Sequence, residues 1–184
     1  MPLSATDREE LLAVARASLE HGLENGCQIN LDSSDFPGAL QIVSASFVTL
    51  QIEGKLRGCV GGLEPRWPLV QDTARHAFGA GFEDPRFPPL SKNEHARVTI
   101  HLSVLSPREP VVFSSEEALI ATLRPGIDGL VLHLGENRAT FLPSVWDSLP
   151  EPLRFFTELK KKARIPSDQI PSKAERYHTE SFGE

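Results

Sequence analysis

Residues 56–62, Leu-Arg-Gly-Cys-Val-Gly-Gly, set a thiol two positions after a permanent cation on a backbone almost bare of side chains. The thiolate is the reactive form of cysteine, and a neighbouring guanidinium favours it. Arg57 and Cys59 are therefore the candidate catalytic pair. Gly58 and Gly61 remove side chains and let a ligand approach the chain closely, so they are candidate binding positions. The competing reading makes Cys59 a small buried apolar residue, the commonest fate of a free cysteine. The run has neither GxGxxG spacing nor a GK[ST] ending, so it is not a phosphate-binding loop of those types. His76, His101 and His133 are the histidines that a fold can bring to the thiol.

A second candidate lies at residues 83–90, Glu-Asp-Pro-Arg-Phe-Pro-Pro-Leu. Asp84 before a proline favours a turn in which the carboxylate binds its own backbone. Arg86 can pair with Asp84 or reach into a cleft, and both are candidate ligand-binding residues. The prolines stiffen the loop and exclude helix interior and central strand. The competing reading is a rigid connector with a structural ion pair. If the loop holds a side chain in place, it belongs beside the signature.

Metal chemistry has little support. The histidines are scattered, His95 and His101 match no common zinc spacing, and HExxH is absent. No GxSxG elbow occurs. Lys160-Lys161-Lys162-Ala163-Arg164 reads as the solvated end of a helix, where cations suit the dipole.

The elements that must position these groups follow from pattern. Ser4 or Thr6 caps a first helix, and Leu11, Leu12, Val14, Ala15, Leu19 and Leu23 recur with its period. Alternation over residues 47–52, then Glu53-Gly54-Lys55, predicts a β-hairpin with residues 56–62 as its return strand. Strict alternation puts Arg57, Cys59 and Gly61 on one face and Leu56, Gly58 and Val60 on the other. A helix is expected from Trp67 to Gly79 with Pro68 in its first turn. Residues 95–107 alternate as a strand, 114–123 form a short capped helix, and 129–142 form a second hairpin. Residues 142–149 and 151–164 are helical. The tail, residues 175–184, is a last strand or a packed segment. Interleaved hairpins and helices without βαβ alternation indicate an α+β protein with an antiparallel sheet flanked by helices.

The chain has 184 residues, 40% of them hydrophobic, which suits one domain or a large domain with an appendage. The net charge of −6 argues against a nonspecific nucleic-acid binder. Only two cysteines are present, no leader-like start is seen, and no apolar run approaches the ~20 residues of a membrane span. A cytoplasmic setting with free thiols is the expectation.

These blocks together resemble the AMMECR domain family, called AmmeMemoRadiSam system protein A in prokaryotes. Leu56–Gly61 is similar to its LRGCIG signature. Ala77, Ala80, Asp84, Pro85, Arg86, Phe87, Pro89 and Leu90 resemble the next family block. Ser103–Pro107, Asp128-Gly129, Phe141–Trp146 and the helix at residues 155–164 resemble the remaining ones. The likeness covers nearly the whole chain as one AMMECR-type domain, residues 1–184. Val60 stands for isoleucine, and Gly62 for the threonine common after the signature. The resemblance implies a larger α+β part, a smaller subdomain, and the signature near a cleft between them. It implies no settled activity and names no cofactor. Memo-like and radical-SAM proteins are the partners it implies by association. Two functional readings stand open. One is an enzyme or enzyme subunit binding a small molecule at a cleft lined by the signature. The other is a noncatalytic binding or adaptor domain in which the signature is structural or a recognition surface.

Overall fold

The structure is a computed structural model and describes residues 3–184. The chain forms two units: one runs to Leu105 and includes Glu180–Glu184, and the other is Ser106–Thr179.

In the first unit, α1 (Ala5–Asn25) starts at Ser4, whose hydroxyl accepts from the Asp7 N–H while the Asp7 carboxylate accepts from the Ser4 N–H. This capping box uses Asp7. The helix runs past Gly22 and ends at Gly26, which is left-handed at φ 69°. A Cβ at Gly22 would overlap the Phe82 ring. β1 (Val43–Ile52) and β2 (Lys55–Gly61) form the expected antiparallel hairpin. Glu53 and Gly54, at φ 52° and 73°, make a turn that matches strand twist.

β3 (Trp67–Pro68) pairs with the start of β1, and α2 (Leu69–Phe78) follows it directly. Trp67 and Pro68 are therefore strand, because Trp67 sits opposite Ser44 in the ladder. α2 passes into a π-helical turn at Gly79–Glu83. A short α3 (Lys92–His95) is capped by Ser91 and Glu94. β4 (Val98–Leu105) pairs with β1, giving the sheet order β2-β1-β4-β9 with β9 at Thr179–Gly183. Leu11 and Leu19 of α1, Val70 and Ala77 of α2, and Val48, Leu50, Ile100 and Leu102 of the sheet make one core.

The second unit holds β5 (Glu109–Val111), α4 (Glu116–Ala121), β6 (Gly129–Leu134), β7 (Asn137–Phe141), α5 (Pro152–Lys162) and β8 (Lys173–Tyr177). Its antiparallel sheet has the order β5-β8-β6-β7. Trp146 stacks on Phe155 at 3.7 Å between ring centres, and its Nε1–H donates to Asp128 O at 2.7 Å. Residues 143–147 form a 3₁₀ turn rather than a full helix. The tail is two strands, each in a different sheet. In the lysine run Lys161, Lys162 and Arg164 are exposed, as expected of a solvated helix end, and Lys160 departs from it. Lys160 is 5% exposed, donates to Ser167 O and Gln169 O, and pairs with Glu116 at 2.5 Å. Both sheets are antiparallel and both are faced by helices, so the fold is α+β.

Candidate functional site

β2 does not keep strict alternation. Leu50 lies opposite Gly58, and the next residue, Gln51, lies opposite Leu56, so Arg57 is the extra residue of a β-bulge. Gln51 and Thr49 share a face of β1. Their partners Leu56 and Cys59 therefore share a face as well, and Arg57 and Gly58 form the buried pair between them. The bulge corrects the expectation that Arg57 and Cys59 lie side by side.

Arg57 has a different task. Its side chain is 7% exposed; Nε donates to Glu94 Oε1 at 2.7 Å, and Nη2 donates to Glu94 Oε2 at 3.2 Å and Pro88 O at 2.9 Å. Its guanidinium also lies 5.7 Å from the Phe87 ring centre. These hydrogen bonds from Arg57, with the Ser91 N–H, hold the Glu94 carboxyl down at about 2. Glu94 had no sequence signal as a partner, because it is 37 residues away and acts also in the α3 cap.

The cation that reaches Cys59 is Arg86. Asp84 Oδ2 accepts from the Cys59 N–H at 2.9 Å and from Arg86 Nη2 at 2.7 Å, and Arg86 Nη2 also reaches Cys59 O at 3.3 Å. Asp84 Oδ1 accepts from the Arg86 N–H and Nε. The Arg86 hydrogen bonds hold the Asp84 carboxyl well below the usual carboxylate range, against its burial. Arg86 is itself raised, first by Asp84 and in smaller part by Cys59. The EDPRFPPL loop thus lies on the signature, as its stiffness suggested. On the other side of the thiol, Thr49 Oγ1 donates to Cys59 Sγ at 3.2 Å. His101 is on the same face but one strand further on, opposite Thr49.

The glycines are filled by protein rather than left open for a ligand. A Cβ on Gly58 would overlap Ala80 O in the π-helical turn, and one on Gly61 would overlap the Phe47 ring. Gly58 and Gly61 are therefore places of close packing, where a Cβ has no room.

Val60 points away from the thiol, against Gly79, and leads into a pocket of about 420 Å³. Val60, Gly62, Trp67, Asp72, Arg75, His76 and Glu83 are among the residues that line it. Asp72 is 2% exposed, and its Oδ2 accepts from Ser46 N at 2.8 Å, Ser46 Oγ at 2.7 Å and His76 Nδ1 at 3.1 Å. His76 is 21% exposed and faces Gly62. Arg75 lies over the Trp67 ring at 4.7 Å. The sequence carried one signal for this pair: Asp72 and His76 are four apart on a helix, hence on one face.

The family model AMMECR1 matches residues 12–182. The chain belongs to the AMMECR1 family. A relative from Methanothermobacter thermautotrophicus is 34% identical over 172 residues, covering 91% of this chain and 87% of that one. One from Thermofilum pendens is 36% identical, covering 88% and 82%. The crystal structure of an uncharacterised protein from Pyrococcus horikoshii matches with a TM-score of 0.82 at 31% identity, over 95% of this chain and 89% of that one.

In this AMMECR1-family chain the signature has two sides. One presents Cys59 with Thr49. The other carries Val60 and leads to the pocket of Asp72 and His76. Among the described residues no three His, Cys, Asp or Glu side chains are grouped to hold a metal ion, and no helix is long and apolar enough to cross a membrane.

Proposed function

We propose that this AMMECR1-family chain binds a small molecule in the pocket at the end of the signature strand and works there as an enzyme or enzyme subunit. One observation carries the reading. Val60 and Gly62, at the end of the signature, share a pocket of about 420 Å³ with a hydrogen-bonded Asp72–His76 pair. That volume falls in the range of small-molecule sites, in which a few convergent polar groups fix a ligand's orientation. Trp67 in the rim provides an optical probe. Titrating a panel of phosphorylated and carboxylated metabolites should change Trp67 emission and raise the melting temperature for at least one compound. Gly62→Leu, which fills the pocket, should abolish both responses. A panel that gives equal responses in wild type and Gly62→Leu would remove the pocket from the reading.

A second reading has its own support. Arg57, Gly58, Gly61 and Asp84 all have protein partners or packing that account for their residue types. On that reading the signature builds the fold, and the domain is a binding or adaptor module. The Memo-like and radical-SAM partners suggested by the family likeness belong to both readings. Co-purification of those proteins with the tagged chain tests them.

A further inference from the structure

We propose that His76 is a proton-transfer residue. Asp72 fixes its ring with the proton on Nδ1, and Nε2 is left to take a proton from, or give one to, a small molecule bearing an ionisable O–H or N–H. This rests on the pocket being a ligand site, as proposed above.

The tautomer follows from the partners. Asp72 Oδ2 accepts from the Ser46 N–H at 2.8 Å and hydroxyl at 2.7 Å, so it acts as an acceptor, as an ionised carboxylate does. His76 Nδ1, at 3.1 Å from the same oxygen, must then be the donor. A neutral imidazole that donates through Nδ1 has a bare lone pair on Nε2. Among the described residues no hydrogen-bond partner is found for Nε2, and the ring edge carrying it faces Gly62 across the pocket.

The opposite wall is tied to the same group. Gly62 N donates to Ser46 O at 3.2 Å, so Ser46 links the pocket wall to Asp72. A structural role for Asp72 is already met by the two Ser46 donors. It gives no reason for its third partner to be an imidazole at a pocket wall. Glu64, Arg66, Arg75 and Glu83 are the other charged groups around the pocket. They place both signs near the transferred proton and near a polar ligand.

The step balances simply. The substrate O–H or N–H proton moves to Nε2, and its bonding electron pair stays on the substrate heteroatom. The imidazolium is held by the Asp72 carboxylate. The same proton is then returned to an oxygen or nitrogen of the bound molecule. Asp72 acts through His76 and is a positioning residue.

Two measurements on the full chain test this. Long-range proton–nitrogen NMR should show His76 with the proton on Nδ1 in wild type and a mixture of tautomers in Asp72→Asn. A wild-type ring protonated on Nε2 alone overturns the assignment. p-Nitrophenyl acetate hydrolysis then probes the bare nitrogen: Nε2 takes a proton from water as the water oxygen attacks the acetyl carbon, the ester C–O bond breaks with its electron pair going to nitrophenolate, and the imidazolium gives the proton to solvent. Wild type should exceed His76→Gln by at least about a hundredfold, the low side of what a positioned proton-transfer group contributes. The comparison is made on variants with unchanged melting profiles. Equal rates in wild type and His76→Gln overturn the proposal even if the pocket binds ligands. A loss in His76→Gln that Gly62→Leu does not reproduce supports the dyad and overturns the pocket as its setting.

Discussion

The Asp84 carboxylate accepts the backbone N–H of Cys59 at 2.9 Å, across 25 residues of sequence. β2 is the edge strand of its sheet, and an edge strand has backbone groups with no neighbouring strand to bind them. Asp84 takes the Cys59 N–H, and Arg86 donates to the Cys59 carbonyl. The ion pair thus stands in for a strand at that position, and it places a cation beside the thiol.

Removing Asp84 should therefore cost stability. In Asp84→Ala the Cys59 N–H loses its acceptor and Arg86 loses its counterion, for about 3 kcal/mol. Chemical denaturation checks the size. Asp84→Asn should be intermediate, because an amide oxygen can still accept from Cys59.

The same carboxylates set an acid limit. Asp84 and Glu94 both have folded values below their ordinary ones, so each contributes stability that is present above the ordinary carboxylate range. That contribution falls away as pH drops, for Glu94 between its ordinary value of 4.5 and about 2. Urea midpoints measured from pH 6 to pH 2 should decline more steeply in wild type than in the Asp84→Asn, Glu94→Gln double variant. Parallel curves would mean that neither carboxylate is paired in solution.

Arg57 and Arg86 should separate in their effect on Cys59. Arg57→Ala strips the partner from Glu94 in a largely buried pair, at about 3 kcal/mol, and acts through stability. Arg86→Ala leaves the Asp84 charge unopposed at the Cys59 backbone and should slow iodoacetamide labelling of Cys59 severalfold at pH 7. Mass spectrometry on folded protein reads both. A slower Cys59 in Arg57→Ala, with Arg86→Ala unchanged, would return the thiol to Arg57.

The glycines offer a contrast within one motif. Gly58→Ala drives a methyl into Ala80 O and should cost about 1–3 kcal/mol, with a melting temperature lower by several degrees. Gly62→Ala meets His76 at 3.7 Å, an ordinary contact, and should melt close to wild type. Calorimetry on the two variants decides whether close packing explains the first glycine.

The hairpin, the helix after Pro68 and the antiparallel class were legible because period and turn residues are local. The face of Arg57 was not. A bulge shifts register by one residue, and one residue reverses a face. Nothing in LRGCVGG marks where the shift falls. Lys160 was misread for a related reason: its partners, Glu116, Ser167 and Gln169, come from other elements. The EDPRFPPL loop was placed beside the signature from its stiffness alone. Its bond to the Cys59 backbone had no side-chain pattern to announce it. The Asp72–His76 spacing was readable on α2, but the pocket that gives it meaning needs Gly62 and Trp67 brought together by β3.

Equilibrium dialysis of the purified chain against a cell metabolite extract, read by mass spectrometry, tests the pocket as a ligand site most directly. Wild type should retain at least one small molecule that Gly62→Leu, equally folded, does not retain. Retention of nothing by wild type, or of the same compounds by both proteins, would contradict a ligand site at the end of the signature strand.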